Sequence, residues 1–270
     1  MRKGGQLHIT PEHRNHVTRM TQSHRDANKK IHLILDFDET VCIANKPTGQ
    51  EEITETDINP ALVEFIADLI VEQGDIFTMH ILSSRWPDED IRKSRLECSN
   101  PEHQYYQTYK NSILLDEALP LFEDQLANKI KEKSPAVEGE TVSGCSPKVE
   151  DRKRYCIGDT RLNKASYFSE CMRLTPSSCI FFDDQVDNLQ KMRMEGVLCV
   201  AVESYVVEGS DRAREMELTA VTREELQRFL NQPLMPEQNA RRQTGDRQRL
   251  FSRPRNNSVE PSIKHACVCV

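Results

Sequence analysis

The sequence predicts an α/β fold in which a parallel sheet is flanked by helices, and three observations carry that expectation. Short apolar runs rich in β-branched residues recur along the chain, as strands buried on both faces require. Segments of helical period stand between them, in the strand–helix–strand order of a parallel crossover. Two of the runs pass directly into aspartates, IHLILDFD at 31–38 and CIFFDD at 179–184. Ligand sites in open parallel sheets lie at the carboxyl ends of strands, so these acids mark one end of the sheet.

Taken in order, residues 1–30 form a basic N-terminal segment, and the first strand is Ile31–Phe37. The polar stretch 44–58, ANKPTGQEEITETDI, reads as a loop or flap. Asn59-Pro60 opens a helix over PALVEFIADLIVEQ, with proline at the first helical position and Gly74 as the stop. Phe77–Leu82 is the second strand and completes a βαβ unit. From Trp86 to Lys133 the text is mostly helical, with a long amphipathic candidate in ILLDEALPLFEDQLANKIKEK despite Pro120. Residues 134–152 are rich in Pro, Gly, Ser and Glu and read as a loop. A strand at Arg154–Ile157, a helix at Lys164–Arg173, a strand at Cys179–Phe182, a helix at Asp187–Glu195 and a strand at Val197–Val202 follow. Thr222–Asn231 reads as a last helix, with Thr222 as cap and Glu225 three residues on. Beyond Pro233 no periodicity remains. The expected organisation is a Rossmann-like domain over 31–232 without a large cap, a helical insertion at about 98–150, and disordered basic tails at 1–30 and 233–270.

At 270 residues the chain has room for one such domain with tails. No apolar run is long enough to span a membrane, and MRKGGQLHIT lacks the apolar stretch of a secretory signal. The nine cysteines form no CxxC pair and several sit inside apolar runs, which fits reduced thiols and a cytoplasmic setting. The net charge of −7 is uneven: residues 1–31 carry +5, 236–270 carry +4, and the centre about −16. An acidic centre is a poor nucleic-acid binder, so no nucleic-acid partner is expected. The basic tails suit an anionic surface or simply stay solvated.

Asp36 and Asp38, one residue apart, face one side at the tip of the first strand, and Asp183 and Asp184 meet them from a neighbouring strand. Carboxylates converging in this way repel one another unless a cation neutralises them. Oxygen ligation alone favours Mg²⁺, which takes one or two carboxylates and keeps waters for a phosphate oxygen. As single residues, these acids are equally ordinary strand-end turns or helix caps.

In that context LILDFDETV resembles the first motif, DxDx(T/V), of the haloacid dehalogenase superfamily, here Asp36 to Val41. HILSSR resembles the second motif, with Ser83 at the strand end. KASYFSECMRLTPSSCIFFDDQVDNL resembles the third and fourth together, with Lys164, a helix, a strand and Asp183-Asp184. The order holds over about 31–203, and the wording DFDET and FFDDQ is most similar to magnesium-dependent and carboxy-terminal-domain phosphatases.

The resemblance implies Asp36 as nucleophile forming an aspartyl-phosphate and Asp38 as general acid and then base. It implies Ser83 and Lys164 on the phosphoryl oxygens. Mg²⁺ would be held by the Asp36 carboxylate, the Asp38 backbone carbonyl and Asp184, with Asp183 as a ligand or behind one. Thr40, Ser84, Arg85 and Trp86 are the substrate-binding candidates: Ser84 as an alternative phosphate contact, Arg85 for acidic flanks, Trp86 for stacking on an aromatic group or for plain packing. His8, His13, His16 and His24 lack a carboxylate frame and read as incidental. Gly158-Asp159 reads as a turn.

Between Val41 and Ser83 only the flap and one helix fit, so the first cap position of this superfamily is empty and specificity falls to the 98–150 insertion. An open site accepts a side chain on a macromolecule. The expected partner is therefore a phosphorylated protein, with phosphotyrosine slightly ahead of phosphoserine or phosphothreonine. A phosphatase for small metabolites or nucleotides, and a catalytically silent membrane-tethered module, stay open as alternatives. The end Cys267-Val268-Cys269-Val270 resembles a prenylation box with Cys267 as acceptor, although Cys269 stands in the second aliphatic position. Lipidation there would put the protein at the cytosolic face of a membrane, with the basic tail as second signal.

Overall fold

In a computed structural model of the chain, the apolar run at 31 forms the central strand β3 (Ile31–Leu35), between two parallel neighbours, β4 (Phe77–Ser83) and β6 (Cys179–Asp183). The structure describes residues 1–47, 49–74, 76–97, 110–134, 148–158, 160–210 and 213–214. β5 (Arg154–Cys156) extends the sheet beyond β4, and β7 (Leu198–Val202) extends it beyond β6, both parallel. Every residue of β6 and β7 is buried, as their unbroken apolar text requires.

The N-terminal segment corrects the expectation of a disordered tail at that end. Leu7–His8 (β2) pairs antiparallel with β7 and gives the sheet six strands, in the order β2-β7-β6-β3-β4-β5. Arg2–Lys3 (β1) pairs separately with Val206–Val207 (β8). Helix α1 (Pro11–Asp26) starts on a Thr10 cap that accepts from His13 N and buries His13, Val17 and Thr21. These three residues recur at a spacing of four, but one alone is apolar, so the helix face carries no hydrophobic signature.

Helix α2 (Pro60–Gln73) matches its expected bounds: Asn59 Oδ1 accepts from Ala61 N and Leu62 N, and Gly74 at φ +78° ends it. It covers one face of the sheet, where Phe65 meets Phe182 edge-on at 5.9 Å. The other face packs Ile34, Phe181 and Cys199 against Ala165, Phe168, Leu189 and Met192. Those partners come from α5 (Lys164–Tyr167), its π-helical continuation Phe168–Met172, and α6 (Val186–Met194).

After β4 comes α3 (Asp88–Glu97), then α4 (Leu115–Lys133), which is the helix of the 98–150 insertion among the described residues. α4 buries Leu115, Ala118, Leu119, Phe122 and Leu126, and lies along α2. Lys133 Nζ pairs with Glu64 at 2.5 Å and Asp68 at 2.7 Å across that contact. The helix is thus part of the body of the domain. Residues 98–109 and 135–147, the Thr222–Asn231 helix, the basic tail from 233 and Cys267 lie outside the described residues. No helix among the described residues is long and apolar enough to cross a membrane.

Candidate active site

The parallel register of β3 and β6 brings the aspartates at the ends of these two strands together. Leu35 stands opposite Phe182, and Asp36 N donates to Phe182 O at 2.8 Å. Asp36 and Asp183 therefore leave the sheet side by side. Lys164 joins them from the first turn of α5, which Asn163 caps by accepting from Ser166 N at 2.9 Å. Its Nζ lies 2.5 Å from Asp36 Oδ1 and 2.7 Å from Asp183 Oδ2, and the side chain is 2% exposed. Asp183 also accepts from Gln185 N at 2.7 Å and, on both oxygens, from Asn188 Nδ2 at 3.2 Å. Ser204 Oγ at 2.5 Å and Gln185 Nε2 at 2.7 Å both donate to Asp184 Oδ2, leaving Oδ1 without a donor among the described contacts.

One oxygen from each of Asp36, Asp183 and Asp184 lies within 4.8 Å of the others. With all three ionised, Lys164 leaves two negative charges uncompensated. The titration behaviour follows from this. Burial raises the Asp36 carboxyl well above its usual range, against Lys164 and with Asp183. Burial, then Asp183, push Asp184 up to about 7. Burial by itself would lower the Lys164 ammonium, but Asp36 and Asp183 outweigh it and hold the group above its usual value. A cluster of largely buried carboxylate oxygens with unbalanced negative charge is a donor set that fits a metal cation. Asp184, with an oxygen to spare, fits direct ligation better than Asp183, whose oxygens are already engaged.

Asp38 stands on a turn beyond β3. Phe37 O accepts from Val41 N at 3.0 Å, and Glu39 takes φ +62°, a conformation uncommon outside glycine. Tyr205 N donates to Glu39 O at 2.7 Å, so the loop after β7 braces the turn. The Asp38 side chain is 32% exposed, unlike that of Asp36, and its Oδ1 accepts from Arg85 Nη1 at 3.3 Å. Burial raises its pKa and Arg85 opposes the shift, so the group holds its proton more readily than a solvated aspartate.

The remaining candidates divide. Ser83 is buried at the end of β4, beside Asp38, and accepts from Arg85 N at 3.4 Å. Ser84 is exposed and Trp86 half-buried at the same corner. Thr40 is fully buried in the turn, and its hydroxyl has no hydrogen-bond partner among the described residues. Arg85 corrects its expected role: it does not reach out to acidic flanks of a substrate but lies buried between Asp38 and Asp88, over the Phe37 ring at 4.9 Å. His13 is buried against Arg193 Nη2 at 3.4 Å and belongs to the packing of α1.

Three residues at the site escape sequence reasoning. Gln185 and Asn188 hold the aspartates from the start of α6, and their signal was the QVDN text just after Asp183-Asp184. Ser204 comes from the loop after β7 and carries no local signal. Comparison of the chain with family models, with curated proteins and with solved structures returns no match.

Proposed function

We propose that this chain is an Mg²⁺-dependent phosphatase of the haloacid dehalogenase type, acting on phosphorylated proteins through an aspartyl-phosphate. The observation that carries the reading is the convergence of Asp36, Asp183, Asp184 and Lys164 at the carboxyl edge of parallel strands, with Asp38 one turn away. Asp36 attacks phosphorus, the bond to the leaving oxygen breaks, and Asp38 donates its proton to that oxygen. Asp38 then takes a proton from water, which attacks phosphorus and releases phosphate from Asp36. Lys164 offsets charge on the phosphoryl oxygens and holds Asp36 in line. Asp36, Asp184 and the Asp38 carbonyl, with Asp183 behind, would hold a divalent cation, which would supply Lewis-acid neutralisation of the phosphoryl group.

A protein substrate is favoured because α4 lies along α2, so the described part of the insertion supplies no lid. Phosphotyrosine ranks slightly ahead of phosphoserine, on the half-buried Trp86 beside the site. The test is phosphate release from an aryl phosphate, phosphotyrosine and phosphoserine peptides and nucleotides, with and without Mg²⁺. Turnover should require the metal, and Asp36→Asn should lower it by at least about 10⁴-fold, as loss of a covalent nucleophile does. Turnover of nucleotides in preference to peptides would replace the protein substrate by a small one. A folded chain with no turnover on any of them would leave a binding module.

A further inference from the structure

We propose that Arg85 is a positioning residue: its buried guanidinium clamps the Asp38 carboxylate in the orientation from which it exchanges a proton with the leaving oxygen. The proposal rests on the phosphatase reading and assigns the part that fixes its acid and base.

The clamp has three anchors. Nη1 reaches Asp38 Oδ1 at 3.3 Å, and the guanidinium lies over the Phe37 ring at 4.9 Å, so Arg85 grips both residues that follow the nucleophile. On its far side Nη2 lies 3.8 Å from Asp88 Oδ1. Asp88 is in turn fixed by Asp116 N, which donates to its Oδ2 at 3.0 Å at the start of α4. The backbone of Arg85 is pinned as well. Its carbonyl accepts from Gly158 N at 2.9 Å, and a Cβ on Gly158 would fall 2.7 Å from the Arg85 carbonyl carbon. The close approach that holds Arg85 therefore needs glycine at 158.

The energetics separate this role from packing. The Arg85 side chain is 4% exposed, and its Nε and Nη2 are buried without a hydrogen-bond partner among the described residues. A desolvated cation with unmatched donors is a poor device for stability, and an apolar side chain of similar volume would fill the space at lower cost. What the guanidinium adds is a fixed charge-assisted contact to Asp38. A substrate flank cannot use it, because those atoms are closed to solvent.

A positioned general acid matters when the leaving oxygen needs a proton and little when it does not. The experiment is steady-state kinetics of the full chain with Mg²⁺ on an alkyl phosphate and on p-nitrophenyl phosphate. Arg85→Met should lower kcat on the alkyl ester by about 10²-fold, with KM little changed and the loss at least about tenfold smaller on the nitrophenyl ester. Arg85→Lys should recover part of the loss. Asp38→Asn should show the same split, and Asp38→Asn with Arg85→Met should be no worse than Asp38→Asn alone. Equal losses on both esters, or additive losses in the double variant, overturn the clamp. If the folded wild-type chain turns over neither ester nor any of the phosphopeptides and nucleotides, the phosphatase reading fails. The clamp is then judged by thermal unfolding of Asp38→Asn, Arg85→Lys and the double variant: non-additive shifts in Tm support the pair, and additive ones overturn it.

Discussion

Lys164 shows how one buried side chain can bind two strand-end carboxylates at once. Its ammonium is shared between Asp36 and Asp183, in a place where burial makes the Asp36 carboxylate costly to ionise. Removing one partner of a buried ion pair leaves the other charges uncompensated. Lys164→Met should therefore lower metal-free stability at neutral pH by roughly 3–5 kcal/mol, read from urea unfolding. The loss should shrink in acid, where Asp36 takes up a proton, and shrink again with Mg²⁺. A loss below about 1 kcal/mol, typical of a surface pair, would contradict the shared contact. The lysine was legible from its place in a motif. Its burial was not, because a lysine at a helix start reads locally as a surface residue. Arg85 misled for the same reason: an arginine beside a strand end looks available to ligand until Phe37, Asp38 and Asp88 close around it.

Among the elements, α2 and the turn after β3 are joined through Asn59. Its Oδ1 caps the helix, while its Nδ2 donates to Thr40 O at 3.0 Å and Gly5 O at 3.1 Å. One side chain thus ties helix, the turn after β3 and N-terminal segment. Gly5 stands at φ +79°, where a Cβ would fall 2.6 Å from Asn59 Oδ1, so the approach requires glycine. Asn59→Ala should cost about 2–4 kcal/mol, a lost cap together with two carbonyls left unmatched. Asn59→Asp, which keeps the acceptor and loses the donor, should fall between. Equal stability of Asn59→Asp and wild type in urea would remove the cross-link from the account. The Asn-Pro start and Gly74 stop were local and readable, so the bounds of α2 were legible. The π-helical turn at Phe168–Met172 was not, since the choice between α and π hydrogen bonding there goes with the seating of Phe168 and Met172 in the core.

Across the whole molecule, the acid cluster sets a pH dependence whose sign is fixed. Asp184 rises from about 3.8 to about 7 in the folded chain, and Asp36 shifts in the same direction. Raised carboxyl groups contribute stability that is complete below about pH 4 and is lost as the pH climbs through 7. Lys164 stays charged across this window. A cation favours the carboxylate forms, so Mg²⁺ should raise Tm more at pH 8 than at pH 5.5, and its apparent affinity should weaken in acid. Equal shifts at both pH values, by calorimetry, would show that these carboxylates do not hold the ion. At this scale the sequence determined the α/β class, the parallel crossovers, the five parallel strands within a residue or two and the acids at the ends of two of them. Those features are written in local periodicity, in caps and in the identity of the residue after each strand. Only the tertiary structure decided that residues 1–26 complete the domain, that α4 packs on α2, that Arg85 faces inward and that Ser204 reaches Asp184. These depend on which surfaces meet across long separations in the chain, and such meetings are settled by packing and by the pairing of buried charge.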